Sequence, residues 1–280
     1  MSEPYVVCVG LATLDTILEV SRHPGADELV LAKRATVAGG GPAATAAVTV
    51  ARLGVPTFVV GTVADDAVGE VIREGLEQES VDVSELAVAS GRSPQSAIFV
   101  GPGTRAIAAF RGELPQLELS PRARELCLGA AWVHVDQTGY AAASDLRDRV
   151  RLSIDGGNRI EGLDLNGVAL YAPTESALHE SFGDAKHALD AGARLVVVTR
   201  GAKGSVAYTS DGVVTEVPSP PVDPVSTLGA GDVFHGALLA QLLRDRPLQD
   251  ALAFANECAA LSCRALDGRS AIPTLAEVSA

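Results

Sequence analysis

Tyr5-Val6-Val7-Cys8-Val9-Gly10 is apolar at successive positions rather than at alternate ones. A strand with one solvated face alternates apolar and polar residues, so an unbroken apolar run marks a strand covered on both faces. Five further runs read the same way: Thr57–Val63, Ala131–Asp136, Leu152–Asp155, Val168–Ala172 and Leu195–Thr199. Between them lie Ala- and Leu-rich stretches of helical character near 42–53, 65–79, 141–151, 184–191, 232–244 and 248–264. This alternation predicts an α/β fold in which a mainly parallel central sheet is sandwiched between two helix layers.

Two segments break the rhythm. Leu18–Val37 is mixed and contains His23-Pro24-Gly25. Ser96–Val100 and Arg105–Arg111 flank Gly101-Pro102-Gly103-Thr104, where Pro then Gly suits the central positions of a type II turn. The reading is a hairpin inserted into an α/β chain. It is either a small sheet over the end of the main sheet where such proteins bind ligands, or an edge hairpin. No repeat, low-complexity tract or Pro-rich linker divides the 280 residues. The expectation is one domain over 1–280, with a lid built from about 11–37 and 94–111.

With 47% hydrophobic residues the chain can bury a large core. Its 35 acidic and 22 basic side chains leave −13, a poor start for nucleic-acid binding, which needs cations to displace phosphate counterions. A local pocket can still accept an anionic small molecule. No run of about 18 apolar residues predicts a membrane span. Met1-Ser2-Glu3-Pro4 lacks the basic n-region of a signal peptide. Cys8, Cys127, Cys258 and Cys263 form no CxxC pair, as expected of reduced thiols in a cytoplasmic protein.

The strongest local motif is Ser226-Thr227-Leu228-Gly229-Ala230-Gly231-Asp232-Val233-Phe234-His235-Gly236-Ala237-Leu238-Leu239. Small residues before an apolar helix leave backbone N–H groups unobstructed, and the helix dipole makes them an anion site. Asp232 beside those amides pairs a phosphate cradle with a carboxylate, the requirement for phosphoryl transfer to an alcohol. A Gly turn before an ordinary capping Asp gives the same four letters.

Gly39-Gly40-Gly41-Pro42-Ala43-Ala44-Thr45 leads into a second helix that ends at Arg52-Leu53-Gly54, with Pro42 in its first turn. It loosely matches a dinucleotide fingerprint, but Pro42 removes a donor that a pyrophosphate would need. Thr199-Arg200-Gly201-Ala202-Lys203-Gly204 closes a buried strand with a polar turn before another strand, and it lacks Walker A spacing.

In this order, the Gly40–Gly54 run and the segment ending Gly229-Ala230-Gly231-Asp232-Val233-Phe234 resemble the two signatures of the ribokinase-like PfkB family of sugar kinases. The resemblance implies a three-layer α/β sandwich with a β lid, and transfer of the γ-phosphoryl group of ATP to a sugar hydroxyl. It implies Asp232 as catalytic base, with Gly229, Ala230 and Gly231 as the anion hole. It places Asp15, Gly40, Gly41 and Thr45 on the sugar, and Thr199, Gly201, Gly204 and Asn256 on the nucleotide. Glu175 would act on Mg²⁺ through water.

Three positions depart from the family's pattern. Thr45 stands for a sugar-binding Asn, Ala172 for the Asn of Asn-x-x-Glu, and Ser226 for an Asp that helps to bind a monovalent cation. The wording Gly-Gly-Gly-Pro-Ala-Ala-Thr, with Ser270-Ala271-Ile272-Pro273, is most similar to the sulfofructose kinase branch. Ala109 and Thr138 occupy the positions expected of that branch's sulfonate-binding Asn and Arg, and Arg105 and Arg111 on the hairpin could supply cations instead. Other readings are a nucleoside kinase, a sugar or nucleotide sensor without turnover, and a nicotinamide oxidoreductase. The sparse aromatics, with Phe99, Phe110 and Tyr140 nearest the expected pocket, favour a sugar over a nucleoside. An open hairpin edge predicts a homodimer through the lid.

Overall fold

The structure, a computed structural model, describes residues 3–278. Met1 and Ser2 of the N-terminal stretch lie outside the described residues, as do the last two positions of the expected domain. The chain begins with β1 (Val6–Val9), β2 (Thr13–Glu19) and β3 (Arg34–Gly40), then α1 (Pro42–Arg52), β4 (Thr57–Ala64), α2 (Ala67–Gln78) and β5 (Asp82–Ala89). The hairpin β6 (Gln95–Gly101) and β7 (Thr104–Phe110) follows, then α3 (Pro121–Gly129), β8 (Trp132–Val135), α4 (Tyr140–Ala143), β9 (Leu152–Gly156) and β10 (Leu170–Pro173). The last third holds α5 (Glu175–Phe182), α6 (Ala185–Asp190), β11 (Leu195–Thr199), β12 (Ser205–Thr209), β13 (Val214–Val217), α7 (Ala230–Leu243), α8 (Leu248–Ser262) and α9 (Leu275–Val278).

Nine strands form the main sheet in the order β13-β12-β11-β10-β9-β8-β1-β4-β5, parallel from β11 to β5 and antiparallel at β12 and β13. Along β1, Val6 and Cys8 join the core beneath α1, α7 and α8, while Val7 and Val9 join the core on the opposite face. That division is the physical content of its unbroken apolar run. Helix α7 is buried along most of its length, from Val233 to Gln241, which fits its lack of a polar stripe.

The second sheet, ordered β3-β2-β6-β7, is the lid. The Gly103 turn has φ 71, as the Pro-Gly pair predicts. The lid packs on the main body through Ile17, Ile98 and Val100 against Leu228 and Leu266. This settles the hairpin as a lid rather than an edge of the main sheet.

The helix expected over 141–151 is only α4 and one 3₁₀ turn, Ser144–Leu146. Beyond Leu146 the run Arg147-Asp148-Arg149 offers no apolar face to bury. Strand β3 reaches Gly40, so the first lid segment runs past the expected limit of about 37 and includes Gly39 and Gly40.

Candidate active site

The parallel strands end on one edge of the sheet, and the lid approaches that edge through the turns after β1 and before α1. Asp136, just past β8, ties this edge together. Its carboxylate accepts the backbone N–H of Leu11 (2.8 Å), Ala43 (3.2 Å), Thr138 (2.8 Å) and Gly139 (3.0 Å). The sequence reading did not single it out, although an acid closing an apolar strand was a usable signal.

Asp15 lies in β2 and is buried, its Oδ1 accepting the Thr13 hydroxyl at 2.8 Å. Burial raises its pKa, against the opposing pull of Thr13, Ser96 and the Arg269 charge. A side chain at Gly40 would overlap the Asp15 carboxylate, and one at Gly39 would overlap the Arg269 guanidinium. The glycine run therefore makes room for a carboxylate and a guanidinium. Gly41 caps α1 with φ 90.

Arg269 is a site residue that sequence reasoning missed. Its Nε donates to Thr45 Oγ1 (3.2 Å) and its Nη2 to the Gly40 carbonyl (2.6 Å). Burial lowers its pKa to about 10, which still leaves it a cation at neutral pH. The Thr45 hydroxyl, expected to face the sugar, is instead engaged by Arg269. The cause is that a short hydroxyl buried on α1 lies within reach of the guanidinium.

At the start of α7, Gly229 holds φ 73, and a Cβ there would meet Gly268 Cα at 3.0 Å. Among the described residues no protein acceptor takes the N–H of Gly229, Gly231 or Asp232. Ala230 departs from the expected anion hole, because its N–H leans on the Thr227 carbonyl at 3.4 Å as the turn closes. The amide of Asp232 stands open in its place. The Asp232 carboxylate is half-buried and accepts no hydrogen bond among the described residues. Burial and then the nearby Asp155 raise its pKa to about 7, against the pull of His235 and Arg269.

Arg105, on the lid's inner face, donates from Nη1 to Thr227 Oγ1 at 2.8 Å. Arg111 is exposed and has no hydrogen-bond or ion-pair partner among the described residues. Thr138 is exposed on the loop after β8. The lid cation that reaches the signature loop is thus Arg105, because it shares an inner-face row with Val100 whereas Arg111 lies beyond the strand.

Thr199 ends β11 and bridges Thr174, the residue before Glu175, and the Gly201–Lys203 turn follows β11. Gly204, with φ 91, opens β12 against the Val217 carbonyl. Asn256 does not present its amide donor to a ligand: Nδ2 donates to Val217 O (3.1 Å) and Pro218 O (3.5 Å). The side chain is buried on α8, where those strand-end carbonyls need a donor. The Glu175 carboxylate is exposed and unpartnered among the described residues, and a hard oxygen donor of this kind fits a water-bridged Mg²⁺. A surface recess of about 250 Å³ lined by Phe58, Asp82, Glu85, Arg122 and Leu126 lies by β5 and α3 and includes none of these residues.

Solved structures share this architecture. Ribokinase of Arabidopsis thaliana, solved with ribose and ATP, matches with a TM-score of 0.84 over 99% of this chain and 98% of its own, at 23% identity. Ribokinase of Thermotoga maritima gives 0.86 over 99% and 98%, also at 23% identity. The class is a ribokinase-like α/β fold, a large mainly parallel sheet with a smaller lid sheet.

The family model described as pfkB family carbohydrate kinase matches residues 3–147 and 165–275. The chain belongs to that family and is a phosphotransferase with a sugar hydroxyl as acceptor. It is 27% identical to ribokinase of Bacillus subtilis (strain 168) over 97% of both chains. It is 30% identical to fructokinase of Rhizobium leguminosarum bv. trifolii over 75% of this chain and 73% of that one.

Proposed function

We propose that this protein transfers the γ-phosphoryl group of ATP to a hydroxyl of a ketose or related small carbohydrate, with Asp232 as general base. The observation that carries the reading is the Asp232 carboxylate, unpartnered and with raised proton affinity, beside the open N–H groups that begin α7. The sugar hydroxyl gives its proton to Asp232 as its oxygen bonds the γ-phosphorus. The bond from phosphorus to the β,γ-bridging oxygen breaks, and ADP leaves with that electron pair. The amides of Gly229, Gly231 and Asp232 oppose the charge on the moving group.

Asp15 accepts sugar hydroxyls beneath the lid, with Arg269 fixing Gly40 and Thr45 behind it. Gly41, Arg105 and the more distant Arg111 and Thr138 complete the rim. The nucleotide lies along Thr199, Gly201 and Gly204, with Asn256 holding the Val217–Pro218 wall in place. Glu175 would hold Mg²⁺ through water, and the ion would neutralise phosphate charge.

A sugar rather than a nucleoside is supported by the aromatics. Phe99 lies on the lid's outer face, and the Tyr140 hydroxyl is engaged by Asp164. The protein acts as one cytoplasmic domain and pairs through its lid. The nearness to the sulfofructose kinase branch makes a sulfosugar one candidate acceptor.

The test is turnover with Mg-ATP over ketoses, aldoses, sugar acids, sulfosugars and nucleosides. ADP release with a ketose or a sulfonated ketose, and none with nucleosides, is expected. Binding of sugar and ATP without turnover would make the protein a sensor and overturn the reading.

A further inference from the structure

One helical turn beyond Asp232, His235 is buried in the body of the protein. Its Nδ1 lies 3.4 Å from Oδ2 of Asp155, which is buried at the end of β9. Neither ring nitrogen makes a hydrogen bond of normal geometry among the described residues, so the Asp155 carboxylate is the charged group that the ring meets. On β8, His134 is also buried, with its Nδ1 3.0 Å from Ser153 Oγ and its ring centroid 5.6 Å from that of His235. The phosphoryl-transfer steps above use none of these side chains.

We infer that His235, paired with Asp155, is a positioning residue: its buried imidazolium answers the Asp155 charge and so allows Asp232 to ionise as the base. The inference rests on Asp232 being that base.

Three carboxylates, Asp136, Asp155 and Asp232, share this corner, and the charges of Asp155 and Asp136 both raise the proton affinity of Asp232. Asp136 is answered by four backbone amides. Arg269 is engaged on the lid side, by Thr45 and Gly40. Asp155 has one amide, from Gly157, and His235.

The other ionisable groups around His235 cannot take its place. Burial and the charge of His235 push His134 down to about 3, so it stays neutral. Burial pushes the thiols of Cys8 on β1 and Cys258 on α8, which share the α7 face of the sheet, upward, so both are uncharged. Helix α1 carries no ionisable side chain before Arg52 at its far end. Burial works against a charged His235, but Asp155 and Asp232 outweigh it, and the net shift is upward.

The same His134, Asp155 and His235 side chains also place their ligand atoms within 4.8 Å of one another, as a divalent-metal site would. An imidazolium has no lone pair to give a metal, so the two arrangements exclude each other.

The test compares pH–rate profiles of the wild type, His235→Gln, Asp155→Asn and the double variant. With His235→Gln, the unanswered Asp155 should move the acid limb of kcat upward by about one unit or more. Asp155→Asn should move it downward, and the double variant should return it toward the wild type, with KM for ATP little changed. A merely structural role lowers activity or melting temperature without opposite displacements. An unmoved limb in both single variants overturns the inference.

Should the variants fail to fold, histidine ¹⁵N NMR of the wild-type protein between pH 6 and 9 decides. Both ring nitrogens of His235 protonated beside a neutral His134 is expected at pH 7. A neutral His235 at that pH, or a stoichiometric metal in the purified protein, overturns the inference. Retained turnover in Asp232→Asn removes the base reading itself. A dead Asp232→Asn variant with unmoved limbs removes this inference alone.

Discussion

Asp232 shows how one residue's surroundings set both activity and stability. Its proton affinity is raised by burial and by Asp155, so the ionised, basic form accumulates only as pH rises through about 7. Turnover should therefore fall below neutrality, and Asp232→Asn should lower kcat by about 10²–10⁴-fold. The stability effect has the opposite sense. A carboxyl whose folded affinity exceeds its unfolded value destabilises the fold once ionised, so stability declines as pH rises from about 4 through 7. The Asn variant should melt higher than the wild type at pH 8 and nearly equal to it at pH 5, as read by thermal denaturation at the two pH values. Equal gains at both would show that the carboxylate carries no electrostatic strain, and near-normal turnover would show that it is not the base.

Between lid and body, the decisive element is the hairpin β6–β7. Arg105 lies on its inner face and reaches Thr227, two residues before the left-handed Gly229. Arg105→Ala should raise KM several-fold by loosening the lid from the loop, a modest effect because the bond is exposed. Arg111→Ala should leave KM within a factor of two, and steady-state kinetics of the pair check both. If Arg111→Ala gave the larger KM effect, the lid cation would have been misassigned.

Elements of this kind were partly legible in the sequence. Strands such as β1 and β11, covered on both faces, write continuous apolar runs that leave little ambiguity. The edge strand β5 alternates irregularly between exposed and buried positions, so Asp82–Ala89 carried no comparable signal. The Gly229–Asp232 turn was legible because small residues before an apolar helix have a local meaning. Arg269 was not, since its partner Thr45 lies 224 residues away. Asn256 shows the complementary limit: its residue type was read, but the direction of its amide depends on where β13 ends.

At the scale of the whole molecule, the outer face of the lid lacks a partner among the described residues. The lid buries its inner row, Ile17 and Ile98, against the body. Its outer face carries Leu18, Val37, Ala97, Phe99, Ala106 and Ala108, with Val37 60% exposed. Sheet faces turned to water are normally polar, so an apolar one marks an interaction surface. Four strands of about seven residues give a face roughly 19 by 23 Å, so two copies face to face bury about 900 Å². Stable interfaces begin at about 1,000–1,200 Å². The connection from β2 to β3 exposes Leu29 and Leu31 beside the lid and can supply the remainder. The expectation is a homodimer in solution, measured by light scattering across protein concentration, that Ala108→Asp converts to monomer. Because Asp15 lies on the inner face of the same sheet, the monomeric variant should also show a raised KM for the sugar with a nearly unchanged KM for ATP. A wild type that stays monomeric at every concentration would mean that the face is covered by something other than a second copy of this chain.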